Sequence, residues 1–151
     1  MTMSQELAET LAMIAAAASD ARDEWCIIGS AAVVLHGRSL PHVKDVDLLM
    51  SAADAQALLW RVGEQPRPGR PNHQFRSHVF GTWRAPPIPV EVMGGFSVAA
   101  NGAWREVHIL APEPVMIAGV QVYVPSAEEL VRLLHASGRP KDLERAQLLL
   151  G

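Results

Sequence analysis

The chain has 151 residues, of which 49% are hydrophobic and 19% are charged, with 13 Lys and Arg against 16 Asp and Glu. This length predicts a single domain over residues 1–151, and the composition is too apolar for a disordered chain. The formal net charge of −3 argues against a basic protein that coats nucleic acid. The one cysteine, Cys26, excludes an internal disulfide and is typical of a reducing compartment.

The sequence lacks the pattern of a membrane span or a secretory signal. Residues 11–18 are apolar and rich in alanine, but the acidic Glu6 and Glu9 precede them where a signal peptide requires basic residues. No apolar run reaches the roughly 18 residues that a membrane helix needs. These patterns predict a cytoplasmic protein that does not act at a membrane.

The first part of the chain predicts helices that alternate with two short strands. Ser4 can cap a first helix, and an apolar strand follows over residues 25–28. A short helix over 30–35, a second strand over 46–50 and a capped helix over 51–62 complete this part. The first helix has apolar side chains at helical spacing, which are predicted to form its buried stripe: Leu7, Leu11, Ile14 and Ala18.

The second part of the chain predicts strands followed by two helices. Proline-rich residues 63–73 predict a loop. The pair Ser126 and Glu129 has the form of a capping box and predicts the start of two C-terminal helices over 126–150, the last covering 142–150. Strands are predicted between the loop and these helices at residues 74–83, 88–93, 105–110 and 119–124. This order of elements predicts an α/β or α+β protein in which the C-terminal helices pack on the sheet domain.

Gly29 and Ser30 stand between the first strand and the short helix, a position suited to holding phosphate groups. Glycine lets the backbone approach a phosphate closely, a helix N-terminus offers free N–H groups, and the Ser30 hydroxyl adds a donor. Most such pairs are ordinary strand-to-helix turns, so this pair indicates a site only together with the acids that follow it.

Asp45 and Asp47 lead into the second predicted strand. Residues i and i+2 of a strand share a face, so both carboxylates point the same way, about 7 Å apart along the chain. Two anions so placed repel each other unless a cation lies between them, and hard oxygen ligands suit Mg²⁺ or Mn²⁺. The spacing therefore predicts a divalent-metal site.

Glu91 is the lone acid of the apolar strand predicted over residues 88–93. An unpaired carboxylate in the middle of a buried strand is costly. The buried position of Glu91 is explained if this strand lies beside Asp45 and Asp47, so that Glu91 joins their metal site. Three carboxylates could hold two ions, the arrangement used for in-line displacement at phosphorus. The alternative for Glu91 is an exposed residue of an edge strand.

These motifs together resemble those of a known superfamily. Gly29 and Ser30, a short helix, and then Asp45 and Asp47 on a strand, with fourteen residues between Ser30 and Asp45, resemble the nucleotidyltransferase superfamily. The resemblance is greatest to its small bacterial members, the minimal nucleotidyltransferases and the abortive-infection or toxin type. Residues 139–142 (Arg-Pro-Lys-Asp) are similar to the Arg-x-Lys-Asp segment of the latter. The resemblance implies a nucleotidyltransferase-like mixed β-sheet flanked by helices.

The resemblance also implies an activity, the transfer of a nucleoside monophosphate from a nucleoside triphosphate to an acceptor hydroxyl, with release of pyrophosphate. It implies that the metal ligands are Asp45, Asp47 and Glu91, and that these residues are catalytic together with Lys141. It implies that the nucleotide-binding residues are Gly29, Ser30, Lys44 and Asp142. The acceptor stays open among a small molecule such as an antibiotic, the end of a tRNA and a protein side chain. A homodimer or a partner protein could complete the site.

The sequence departs from the family pattern at three positions that bear on catalysis. The third acid, commonly Asp, is Glu91; Val43 stands where the family often has Thr; and Arg145 replaces a later acid. A second interpretation is therefore a non-catalytic nucleotide-binding or protein-interaction module, such as one partner of a toxin–antitoxin pair.

A local excess of arginine surrounds the proline-rich loop. Five arginines but one acid, Glu64, lie from residue 61 to residue 84, and Arg67 and Arg70 fall within the loop itself. Such a segment is either a solvated loop or a mobile arm that meets a polyanion, which would be the nucleoside triphosphate or an RNA substrate.

Overall fold

The structure is a computed structural model, and it describes residues 3–69 and 75–151. Its helices are α1 Gln5–Ala17, α2 Gly29–Leu35, α3 Ala52–Arg61, α4 Ala127–Ser137 and α5 Pro140–Leu150. Its strands are β1 Cys26–Ile28, β2 Val46–Met50, β3 Phe75–Arg76, β4 Val79–Trp83, β5 Val90–Gly94, β6 Ser97–Ala100, β7 Ala103–Glu106, β8 Glu113–Ile117 and β9 Val120–Val124. Within the described ranges, no helix combines the length and the apolar character that a membrane crossing requires.

The four-stranded sheet with the order β1-β2-β5-β4 is the centre of the fold. Strands β2 and β5 are parallel, whereas β1 pairs with β2 and β4 pairs with β5 in antiparallel fashion. The predicted mixed sheet with flanking helices is therefore confirmed, as an α+β arrangement. Strand β2 is buried on both faces, with Leu48 in the main core and Leu49 in a smaller cluster with Met93 and Phe96.

Serine caps and side-chain hydrogen bonds attach the helices to this sheet. Ser4, Ser51 and Ser126 each accept a backbone N–H of the first turn of their helix, as the sequence predicts for α1, α3 and α4. The buried Thr10 of α1 accepts the N–H of Ile88 at 3.0 Å, which fixes α1 against the chain entering β5. These contacts satisfy backbone donors that burial would otherwise leave unpaired.

The two C-terminal helices pack into the same core as the sheet. Leu130 and Leu134 of α4 and Ala146 and Leu149 of α5 are buried with the residues of β2 and β5. The ring of His36, at the end of α2, lies 2.8 Å from the carbonyl of Pro125, just before α4. Helix α5 starts at Pro140, two residues before the predicted start, because proline is well suited to the first helical turn.

The prediction of a single strand over residues 74–83 is wrong. The chain forms two strands there, β3 in a sheet with β6 and β7, and β4 in the central sheet. The break occurs at residues 77–78, and Gln74 lies outside the described residues. The local sequence does not reveal that the two halves of this segment pair with different strands, because pairing is a long-range property.

The strand predicted over residues 105–110 is also misplaced, and two strands were not predicted at all. The observed β7 ends at Glu106 and pairs with β6 through a turn in which Asn101 and Gly102 both have positive φ, 50° and 75°. Asn-Gly is the strongest short-range hairpin signal, and it would have located this hairpin. Strand β8 contains Pro114, which argues against a strand in the sequence. An edge strand nevertheless tolerates proline.

The core assignment predicts a large difference between two leucine variants. Leu48 is fully buried, whereas Leu110 is 76% exposed. Leu48→Ala should lower the free energy of unfolding by about 2–5 kcal/mol, because it removes buried apolar surface and leaves a cavity. Leu110→Ala should change it by less than about 0.5 kcal/mol. Urea unfolding of both variants measures the difference, and equal effects would contradict this packing.

Candidate active site

Asp47 of β2 and Glu91 of β5 are direct neighbours across the parallel strand pair. Side chains at paired positions of adjacent strands project to the same face, so the two carboxylates lie side by side and line one cavity of about 570 Å³. Because β5 lies between β2 and β4, Glu91 is not an edge-strand residue. We call Asp47 and Glu91 the carboxylate pair.

Gly29 begins α2 directly beside Asp47. It has a φ of +70°, and a Cβ atom added to it would lie 2.7 Å from Oδ2 of Asp47. The glycine is therefore required by the position of the Asp47 carboxylate, in addition to the close phosphate approach that the sequence suggests. Gly29 lines the cavity, and Ser30 is buried in the first turn of α2 with 7% of its surface exposed.

Burial and nearby anions raise the pKa of Asp47 to about 7. Desolvation is the main cause, and the negative charges of Asp45 and Glu91 add to it, whereas Arg139 and Arg145 act in the opposite direction. Asp45 precedes β2, and its carboxylate is near enough to act on both members of the carboxylate pair. The site therefore concentrates negative charge in a partly desolvated place.

Glu91 has a raised pKa for the same reasons, first desolvation and then the charge of Asp45. A side-chain hydrogen bond with Asp47 and the positive charges of Lys141 and Lys44 oppose the shift. Both lysines are exposed, and both act electrostatically on Glu91. The fold thus brings Lys44 and Lys141, 97 positions apart in the sequence, to the same carboxylate.

Asp142 lines the cavity and is already engaged by another side chain. Only 1% of its surface is exposed, and its carboxylate accepts Nε of Arg139 at 2.7 Å and Nη2 of Arg139 at 3.1 Å. Arg145 lies on the same carboxylate, with Nη1 3.9 Å from Oδ1. The backbone N–H of Arg139 also donates to Asp142, which closes the capping box of α5.

Arginine and aromatic side chains form the rest of the cavity wall. Arg67, Arg76 and Arg139 line the cavity, and we call them the arginine side. The excess of arginine around the proline-rich loop was the sequence signal for Arg67 and Arg76. Arg67 is not on a mobile arm, because its backbone pairs with Phe80, and Arg70 lies outside the described residues. The aromatic lining consists of Phe75, Phe80 and Phe96.

The described residues contain no group of three or more His, Cys, Asp or Glu side chains placed to hold a metal ion by themselves. The carboxylate pair supplies two oxygen donors. Mg²⁺ is commonly bound through one or two carboxylates, with substrate phosphates and water as the remaining ligands. The donor chemistry of the pair fits that mode of binding.

The helices and strands have the arrangement found in solved nucleotidyltransferase structures, so the chain has the nucleotidyltransferase fold. The chain superposes on a candidate nucleotidyltransferase from Thermotoga maritima with a TM-score of 0.79 and 21% identity, over 99% of this chain and 95% of that one. The superposition on the antibiotic-resistance factor ANT(2'')-Ia has a TM-score of 0.63 and 18% identity, and it covers 99% of this chain and 86% of that one. The superposition on the lincosamide antibiotic adenylyltransferase LnuA has a TM-score of 0.60 and 14% identity, and it covers 100% of this chain and 99% of that one. No protein-family model and no curated protein matches the sequence.

The close approach of Gly29 to Asp47 predicts that two glycine-to-alanine variants lose different amounts of stability. Gly29→Ala and Gly37→Ala both place a side chain at positive φ, but the alanine Cβ has no atom within 4 Å at position 37 and meets Asp47 at position 29. Gly37→Ala should cost about 1 kcal/mol of unfolding free energy, and Gly29→Ala roughly 2–4 kcal/mol. In an Asp47→Ala background the two costs should converge. Chemical unfolding of the two glycine variants, of Asp47→Ala and of the two double variants measures these costs. A difference that persists without the Asp47 side chain would show that the added Cβ at position 29 does not clash with Asp47.

The raised pKa of Asp47 predicts how stability depends on pH. Between about pH 4 and pH 7 the folded chain keeps a proton on Asp47 that the unfolded chain has lost, so this group's contribution to stability falls as the pH rises. In metal-free buffer, Asp47→Asn should raise the melting temperature by roughly 2–6 °C at about pH 8 and by less at about pH 5. A difference that does not vary with pH would contradict the assigned pKa.

Proposed function

We propose that this chain is a metal-dependent nucleotidyltransferase, which moves a nucleoside monophosphate from a nucleoside triphosphate to an acceptor hydroxyl. The observation that carries the proposal is the register pairing of Asp47 with Glu91 at the cavity wall. The nucleotidyltransferase fold supports it, because the solved structures that share the fold include an antibiotic adenylyltransferase and an antibiotic-resistance factor in complex with adenylyl-2''-tobramycin.

Mg²⁺ or Mn²⁺ is the cofactor that we propose for the carboxylate pair. Asp47 and Glu91 would hold the ion, Asp45 would add negative charge nearby, and a bound ion would supply charge neutralisation and polarisation at the reacting phosphate. Desolvation and the charges of neighbouring acids raise the pKa of Asp47, and a bound divalent ion would offset the repulsion among these acids. The same residues would therefore be stabilised by a divalent ion.

The chain's own residues position the substrates for an in-line displacement. The acceptor hydroxyl would give its proton to solvent water as its oxygen bonds to the α-phosphorus, and the bond from that phosphorus to the bridging oxygen of the β-phosphate would break, which releases pyrophosphate. Gly29 would let the phosphates approach the backbone, and Ser30 would support that turn. Lys44 and Lys141 would balance the charge that gathers near Glu91.

The acceptor class with structural support is a small hydroxyl compound. ANT(2'')-Ia was solved with adenylyl-2''-tobramycin, and LnuA was solved with lincomycin bound. The cavity of about 570 Å³ is within the size range of small-molecule sites. An RNA end and a protein side chain are the other two acceptor classes to test. A second copy of the chain or a partner protein would supply further walls for a larger acceptor.

Nucleotide transfer should depend on the carboxylate pair. With radiolabelled nucleoside triphosphates, Mg²⁺ or Mn²⁺, and a mixed pool of small hydroxyl compounds, tRNA and protein, the wild type should label one acceptor class. Asp47→Asn and Glu91→Gln should each reduce labelling by at least about 100-fold, because they remove ligands that stabilise charge at the reacting phosphorus. Glu113→Gln, an exposed acid on β8, should stay within about twofold of the wild type.

Nucleotide binding measured on the same proteins separates enzyme from binding module. If the wild type binds a nucleoside triphosphate yet labels no acceptor, and Asp47→Asn binds equally well, the fold serves a non-catalytic nucleotide-binding role instead. If the wild type binds no nucleotide with either metal ion, the proposed function is wrong.

A further inference from the structure

We propose that the acceptor is a small hydroxyl compound that carries a flat apolar group and no ammonium groups. The flat group would pack on one side of the cavity, against three half-buried side chains, Phe75, Phe80 and Leu133, which we call the apolar wall. This proposal rests on the proposed function, because it names the class of acceptor for the same site.

The order of groups across the central sheet separates the Gly29 turn from the apolar wall. Gly29 follows β1 at one edge of the sheet, the carboxylate pair lies on β2 and β5 in the middle, and Phe80 lies on β4 at the other edge. Phe80 pairs with Met93, two residues beyond Glu91, so its side chain is on the same face as the carboxylate pair. The Gly29 turn and the apolar wall therefore lie on opposite sides of the carboxylate pair.

An in-line displacement determines which substrate lies on each side. The attacking oxygen and the leaving oxygen are on opposite sides of the reacting phosphorus. With the leaving pyrophosphate at the Gly29 turn and the reacting phosphorus at the carboxylate pair, the attacking hydroxyl comes from the β4 side of the sheet. The molecule beside the apolar wall is therefore the acceptor.

The apolar wall offers a fixed surface for a flat apolar group. The ring of Phe75 stacks on Phe96 with centroids 5.8 Å apart, and the guanidinium carbon of Arg139 lies 4.9 Å from its centre. Phe80 and Leu133 pack on the same small core cluster as Phe75. Side chains that are already fixed lose little entropy when a ligand packs on them, and burial of their remaining apolar surface is favourable.

The charges of the cavity disfavour an acceptor with several ammonium groups. Among the described residues, the acids that line the cavity are the carboxylate pair and Asp142. The Asp142 carboxylate is bonded to Arg139, and the carboxylate pair serves the reacting phosphate. A polyamine would find no further acid in this lining and would meet the arginine side, and a charged group buried without a partner is costly.

Two matched glycosides test the apolar wall through binding alone. Phenyl β-D-glucoside and methyl β-D-glucoside offer the same hydroxyl groups, but only the first carries a flat apolar ring. Ligand-observed NMR with the wild type should detect phenyl glucoside binding at concentrations up to about 20 mM, and methyl glucoside should bind at least about tenfold more weakly, because it buries no ring. No binding of the phenyl glucoside, or equal binding of both, overturns the proposal.

Variants of the apolar wall locate the bound ring. Phe75→Ala and Phe80→Ala should each weaken phenyl glucoside binding by about fivefold or more, since each removes apolar contact area. Trp60→Ala is the matched control, because Trp60 is an aromatic residue of α3 that is 62% exposed and does not line the cavity, and its affinity should stay within about twofold. Unchanged affinity in either wall variant, or an equal loss in Trp60→Ala, overturns the proposal.

Circular dichroism and a melting curve for each variant show that the fold is retained. Phe80→Leu is the second variant if Phe80→Ala does not fold. It keeps an apolar side chain but loses the ring, so it should weaken phenyl glucoside binding by about threefold.

Competition separates the acceptor from the nucleotide and from a polyamine. A non-hydrolysable nucleoside triphosphate with Mg²⁺ should leave phenyl glucoside affinity within about twofold, because the two molecules lie on different sides of the carboxylate pair. Displacement by the nucleotide would place the ring at the nucleobase position, and displacement by equimolar tobramycin would show that a polyamine fits the same wall. Either result overturns the proposal. Loss of nucleotide binding contradicts the proposed function instead, so the two failures are distinguishable.

Discussion

The side-by-side position of two carboxylates on parallel strands is the constraint on which the rest of the site depends. Asp47 and Glu91 project from buried strands, so each pays a desolvation cost, and each is repelled by the other and by Asp45. Burial of the large apolar core on the other face of β2 and β5 offsets the desolvation and repulsion of these carboxylates. The packing of this core fixes the two strands that carry the carboxylate pair.

The surroundings of the pair follow from this constraint. Gly29 has no side chain because the Asp47 carboxylate occupies that space. Cations from distant parts of the chain, including Arg139 and Lys141, lie close enough to oppose the raised pKa values. Asp142 is the most deeply buried acid near the cavity, and its arginine partners compensate its charge so that it does not add to the repulsion.

Local chemistry explains which elements could be predicted. Ser4, Ser51 and Ser126 cap helices through contacts within one turn, so their helices were found from the sequence. The segment over 74–83 divides between two sheets, and no local pattern encodes that division. Strands β6 and β7 are joined by Asn101-Gly102, a local hairpin signal that depends on neighbouring residues alone.

The acidic site after a glycine-serine turn can be predicted from the sequence, because both features depend on spacing within about twenty residues of one strand–helix–strand unit. The tertiary structure places Glu91 directly beside Asp47, 44 positions away, as the lone acid of an apolar strand predicts, and it alone brings Arg76 and Arg139 to the same cavity. It also decided that Asp142 contacts Arg139. The physical reason is that strand pairing and side-chain direction are set by the packing of the whole core, and these relations have no signature in neighbouring residues.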